Sequence, residues 1–188
     1  MKSSETDILV IAGYEGAGDT HWQQRLVAKL PSAKLVEQDD WLYGSLDAAV
    51  ARLIEAMRVA TKPIVFVGHS AGCTLVALAV PQMRAHGLVE RARGAFLVAA
   101  PSAAAIGGLA VIDSRFKDIP RQPLPFPSVL VASSDDPFST LEQSADIARA
   151  WGSEFVEAGA QGHINTASGH GPWPEGMMKF AGFLSKLK

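Results

Sequence analysis

Three polar residues in this chain have the types and the order that hydroxyl activation requires. Ser70 lies in Gly68-His69-Ser70-Ala71-Gly72, Asp136 in Ser133-Ser134-Asp135-Asp136-Pro137-Phe138, and His163 in Gly159-Ala160-Gln161-Gly162-His163-Ile164-Asn165. A serine hydroxyl is a weak nucleophile until a histidine takes its proton. The histidine in turn needs a carboxylate that fixes its tautomer and stabilises its charged form. The expected chemistry is acyl transfer to water, with Ser70 as nucleophile, His163 as proton carrier and Asp136 as the orienting acid.

The five residues around Ser70 match Gly-x-Ser-x-Gly, the turn that drives a strand sharply into a helix and holds the hydroxyl clear of the backbone. The five letters are a weak motif alone, and their setting strengthens them. Ile64-Val65-Phe66-Val67 precedes them as a β-rich run, and residues 71–86 follow with a helical apolar face. The Ala71 amide is therefore expected at a helix N-terminus, where free N–H groups favour negative charge, as half of an oxyanion hole. The loop Gly13-Tyr14-Glu15-Gly16-Ala17-Gly18 is expected to supply the other half, from the amide of either Tyr14 or Glu15.

Each role has competitors. Asp135 rivals Asp136, which is favoured because Pro137 restricts the preceding residue to an extended conformation aimed into the loop. The bland reading of either is a turn or a helix cap. Among the histidines, His69 is expected to point away from the pocket, His86 to end a helix beside Gly87, and His21 to lie near the first strand's loop. His170, in Ser168-Gly169-His170-Gly171-Pro172-Trp173-Pro174, is the serious rival to His163 but stands further from the last strand. Phe138, Phe116, Ile164 and Trp173 are candidates for an apolar acyl or alcohol pocket. Cys73 is expected to be a buried small hydrophobe inside a helix.

The elements that must carry these residues alternate. Six β-rich runs recur, at Asp7 to Ala12, Lys34 to Glu37, Ile64 to Val67, Ala95 to Ala99, Val129 to Ala132 and Glu154 to Glu157. Helical periodicity appears over residues 20–30, 46–60, 71–86, 140–151 and 175–187, with caps at Asp19 or Thr20, at Ser45, and at Ser139 or Thr140. Alternation of this kind predicts an α/β fold: a doubly wound, mostly parallel sheet in the order 2-1-3-4-5-6 with helices on both faces. Sites in such sheets form at the strands' C-terminal ends beside the switch in winding, here between strands 1 and 3. Residues 100–128, rich in small residues and then carrying Pro120, Pro123, Pro125 and Pro127, are expected to be a mostly non-helical excursion. Phe116, Leu124 and Phe126 would wall a shallow pocket from it.

Composition limits the alternatives. A chain of 188 residues that is 48% hydrophobic suits a single domain spanning residues 1–188. The net charge of −2 and scattered Lys and Arg offer nucleic acid no basic surface. Residues 94–112 carry no charge but are broken by Pro101, Ser102, Gly107 and Gly108, so no membrane association is expected. One cysteine and the short, acid-flanked apolar run Ile8 to Ala12 suggest a cytoplasmic protein. The glycines of residues 13–18 could be read as a phosphate cradle, yet neither Gly-x-Gly-x-x-Gly nor a Walker lysine is present. No cofactor is expected, nor a metal, because the five histidines lack paired ligand spacing.

At this level of detail the chain resembles the small serine hydrolases grouped with retinoblastoma-binding protein 9. The resemblance rests on Gly68 to Gly72, on Asp135-Asp136-Pro137, on the early His21-Trp22-Gln23, and most specifically on Gly162-His163-Ile164-Asn165 with Ser168 to Gly176 behind it. It extends over essentially the whole chain. It implies a compact α/β-hydrolase fold without a large cap, Ser70, Asp136 and His163 as the triad, and hydrolysis of a small-molecule ester or related acyl compound. No Leu-x-Cys-x-Glu pattern surrounds Cys73, so the partner binding in the family's name does not carry over. The rival reading is a non-catalytic protein-binding module on a hydrolase-like fold.

Overall fold

The structure is a computed structural model and describes residues 1–109 and 112–188. The excursion expected over residues 100–128 is thus described apart from Ala110 and Val111. Six strands, β1 (Asp7–Ile11), β2 (Ala33–Leu35), β3 (Ile64–His69), β4 (Ala92–Val98), β5 (Ser128–Ala132) and β6 (Glu154–Glu157), form one sheet. Its order is β2-β1-β3-β4-β5-β6 and every pairing is parallel. The expected fold class and strand order are the ones observed.

Among the described residues there are seven α-helices, six in the connections between strands and one after β6: α1 (Trp22–Lys29), α2 (Leu46–Val59), α3 (Ala71–Leu78), α4 (Val80–Ala85), α5 (Ala103–Gly107), α6 (Leu141–Trp151) and α7 (Pro174–Lys186). Side chains alternate across the strands and split the core in two. Leu9, Ile11, Ile64 and Phe66 pack with α2, α3 and α6, whereas Ile8, Val10, Val65 and Val67 pack with α1 and α7. A sheet covered on both faces needs nearly continuous apolar strands, which is why β3 is buried along its whole length. Each such Val or Ile contributes roughly 1.5–3 kcal/mol of burial.

Local chemistry explains where the elements differ from expectation. Residues 71–86 form two helices, because Pro81 has no N–H to continue the ladder and its ring crowds the preceding turn. The first helix is capped by His21, whose Nδ1 accepts from Gln23 N, instead of by Asp19 or Thr20. Ser45 caps α2 as expected, and of Ser139 and Thr140 it is Thr140 that caps α6, in a capping box with Gln143. Within the excursion Ser102 caps the short α5, and Phe126 turns into the core against Phe66 with Leu124 packed behind it. Neither Phe126 nor Leu124 therefore walls the pocket.

Candidate active site

The strand β3 delivers Ser70 at the C-terminal edge of the sheet. Ser70 has φ 54° and ψ −129° and lies between the last strand residue and the first residue of α3. A non-glycine residue in that region costs on the order of 1–3 kcal/mol and persists only where its surroundings hold it. Here Ser70 N donates to Val98 O at 3.0 Å, and β1 packs directly against the first turn of α3. A Cβ on Gly72 would collide with the carbonyls of Ile11 and Ala12. On the other side, a Cβ on Gly13 would fall 2.7 Å from Ser70 Cβ and 3.2 Å from Ala71 N. The loop after β1 thus lies against the elbow, as the switch-point argument expects.

The histidine loop after β6 closes over this edge. His163 Nε2 is 2.9 Å from Ser70 Oγ, and His163 Nδ1 is 2.9 and 3.0 Å from the two oxygens of Asp136. A carboxylate only accepts, so Nδ1 carries the proton and the bare Nε2 accepts from the Ser70 hydroxyl. The Asp136 side chain is 2% exposed and the His163 side chain 9%, which keeps water from competing for these bonds. Asp136 Oδ1 also accepts from Phe138 N at 2.9 Å, which fixes the carboxylate's orientation. The arrangement can move a proton from a hydroxyl while leaving that hydroxyl half-exposed to a substrate.

The rivals fall elsewhere. Asp135 Oδ1 accepts from Ser133 Oγ and from Gly162 N, each at 2.7 Å, and these bonds hold its carboxyl below the usual range. It ties the end of β5 to the loop that bears His163. His170 Nε2 donates to Gln161 Oε1 at 2.6 Å and its ring meets Trp173 edge-on. Of the two candidate oxyanion amides, Glu15 N donates to Trp41 O at 3.1 Å, whereas the Tyr14 amide has no acceptor among the described residues.

The expected pocket residues separate into two pairs. Phe138 meets the His163 ring edge-on with centroids 4.5 Å apart, and Phe116 lines a small pocket of about 60 Å³ together with Gly13, Tyr14, Trp41, Ala71 and Leu75. Phe138, against the His163 ring, stands outside that lining, and Ile164 and Trp173 do not line it either. Ile164 is fully buried and Trp173 nearly so, both in the core beneath α1 and α7. The histidine loop delivers His163 to the sheet edge and turns the next side chain into the opposite core, with Ile164 itself at φ 48°.

Residues that the sequence left without a role support the loop from below. His69 Nε2 donates to His163 O at 2.9 Å, and Trp22 Nε1 donates to Ile164 O at 2.9 Å. Gln23 Nε2 bridges Ile11 O and Val67 O, the C-terminal ends of β1 and β3. The rings of His21 and His69 lie 4.9 Å apart and those of His69 and His163 5.0 Å apart. Burial, then the neighbouring His163 and His170, lower His21 to about 4. Burial, and then His163 and His21, push His69 well below the ordinary histidine value, so both stay neutral near pH 7. The signal available in sequence was His21-Trp22-Gln23 itself, three consecutive side chains with polar tips at the start of a helix. Cys73 is buried as expected, its thiol donating to Val98 O, and burial pushes its pKa up.

With this geometry in view, residues 8–182 match the family model described as serine hydrolase. A structure from Pectobacterium atrosepticum assigned as a YdeN-like hydrolase is 30% identical, with 96% of this chain and 91% of that one covered and a TM-score of 0.82. This chain belongs to the serine hydrolase family. The B. subtilis ydeN gene product shares the fold at 19% identity, covering 97% of this chain and 100% of its own, with a TM-score of 0.70. So does a protein of Xanthomonas campestris assigned to the α/β hydrolase superfamily, at 18% identity, full coverage of both chains and a TM-score of 0.68. No curated protein is a significant match. In this serine hydrolase no helix among the described residues is long and apolar enough to cross a membrane. Among the described residues no three His, Cys, Asp or Glu side chains gather as a metal site.

Proposed function

We propose that this serine hydrolase cleaves small, uncharged carboxylic esters through an acyl-enzyme on Ser70. His163 takes the Ser70 proton as Oγ attacks the ester carbonyl, and Asp136 stabilises the resulting imidazolium. The amides of Ala71 and Tyr14 donate to the oxyanion. His163 then protonates the leaving alkoxide, and the alcohol departs. Water attacks the acyl group in the second half, His163 takes its proton, and the carboxylic acid leaves as Ser70 regains a hydrogen.

The observation that carries this reading is the 2.9 Å hydrogen bond between Ser70 Oγ and His163 Nε2, with Asp136 on the far nitrogen. The strained backbone of Ser70 also favours it, since a binding module gains nothing from φ 54° at that residue. The pocket of about 60 Å³ beside Ala71 and Phe116 suits a short acyl group. Phe138, more than a third exposed, would flank the alcohol side.

The test is covalent labelling by a fluorophosphonate, read as intact mass on wild type and on Ser70→Ala. One adduct on wild type and none on the variant is the expected result. No adduct on either protein would overturn the proposal and leave the binding-module reading.

A further inference from the structure

A large, mostly apolar cavity lies away from Ser70. It has a volume of about 650 Å³ and opens between α1 and α7, walled by Trp22, Leu26, Trp173, Met177, Phe180 and Leu184. It shares no lining residue with the small pocket beside Ser70. A volume of this size falls within the range of small-molecule sites, roughly 300–1,000 Å³.

Its charges are one-sided. Lys2, Arg25 and Lys29 line it and no Asp or Glu does, in a chain that holds 19 acids against 17 bases. Arg25 and Lys29 are one helical turn apart on α1, on the face that also carries Trp22 and Leu26. No carboxylate among the described residues lies within ion-pair distance of either. Elsewhere in the molecule Arg52, Arg58, Arg115, Arg121 and Arg149 each reach an acid, whereas Arg84, Arg91 and Arg93 have no ion pair among the described residues, so it is the adjoining cavity that distinguishes Arg25 and Lys29. Aliphatic stems covering an apolar surface explain why long basic side chains stand here. They do not explain two unpaired like charges side by side, an arrangement that is mildly unfavourable on a helix.

We infer that this cavity is a binding site for an anionic amphiphile, a medium-chain carboxylate whose chain lies between α1 and α7 and whose head group pairs with Arg25 and Lys29. The apolar walls supply affinity through the buried chain, and the two cations select the ionised head over a neutral one. The site is independent of the reading of Ser70.

Decanoate titrated into the Trp41→Phe protein tests it, because Trp22 and Trp173 then report from the cavity and the tryptophan beside the Ser70 pocket is gone. A saturable change in tryptophan emission is expected. Octanoate should bind about tenfold more weakly, at roughly 3- to 4-fold per methylene, and neutral decanol should bind at least about tenfold more weakly than decanoate. Arg25→Gln with Lys29→Gln, two exposed positions, should weaken decanoate at least about fivefold toward the affinity of decanol, with Lys2 left in the lining. Adding Ser70→Ala should change none of these values. No saturable signal, equal decanoate binding after both cations are removed, or loss of binding in Ser70→Ala would each overturn the inference.

Discussion

Replacing Asp136 by Asn separates the two things a carboxylate does for His163. The acceptor for Nδ1–H and the negative charge normally disappear together, but here Phe138 N already donates to Asp136 Oδ1. That bond forces the Asn side chain to keep its carbonyl oxygen at the Oδ1 position, since an NH2 there would face an N–H. Oδ1 is 2.9 Å from His163 Nδ1, so the ring retains one acceptor there, while the NH2 that takes the Oδ2 position, 3.0 Å from the same nitrogen, opposes the Nδ1–H tautomer and adds to the loss. The main loss is the charge opposite the imidazolium, about 4 kcal/mol for centres about 4 Å apart at an effective dielectric constant of 20. That corresponds to a fall of about 10³ in kcat, since each 1.36 kcal/mol is tenfold. Asp136→Ala removes the acceptor as well and should fall further, toward about 10⁴. Asp135→Asn keeps the oxygen that accepts from Ser133 and Gly162 and should lose less than about tenfold, because its carbonyl meets the same donors. Steady-state hydrolysis of p-nitrophenyl acetate by the three variants decides the matter. Activity of Asp136→Asn within tenfold of wild type, or an equal loss in Asp135→Asn, would refute the assignment of the orienting acid.

Gly13→Ala should lower kcat by about 100-fold or more with a smaller effect on stability, because its Cβ would press on Ser70 and the Ala71 amide. Unchanged turnover in that variant would show that the loop after β1 does not bound the reacting carbonyl. His69→Phe leaves the buried His163 carbonyl unpaired and should cost about 1–3 kcal/mol in urea unfolding. His69→Gln, which keeps an N–H donor, should lie nearer wild type, and equal losses would remove the hydrogen bond as the cause. For His21, burial leads the shift to about 4 in the folded protein against about 6.5 unfolded. The unfolded chain therefore binds the proton first, and stability is complete above about pH 6.5 and declines as pH falls toward 4. Thermal melts at pH 7.5 and pH 5 should show a larger drop for wild type than for His21→Asn, which can still cap α1. The same drop in both proteins would mean that His21 does not govern this window.

What the sequence by itself determined was everything carried by local pattern. Four β-branched or aromatic residues followed by Gly68 to Gly72 specify a strand, a turn and a helix because only that backbone suits those residues in succession. The strand at Glu154–Glu157 and a cap at Ser139 or Thr140 were legible for the same reason, since β-favouring residues and caps act over a few residues. Pro81 was legible in principle, as the residue that divides residues 71–86 into two helices. Only the tertiary structure decided where each side chain went once the loops had folded. Asp135 and Asp136 are adjacent acids in one turn, and which of them meets His163 depends on how β5 and β6 hold their loops together. Ile164 follows His163 directly, yet a positive φ sends it to the opposite core. Trp22 and His69, 47 positions apart, support consecutive carbonyls of that loop because the parallel sheet brings the first helix under the last loop. Such contacts depend on faces and crossings of the sheet, and a pattern with a period of two or of 3.6 residues carries no information about them.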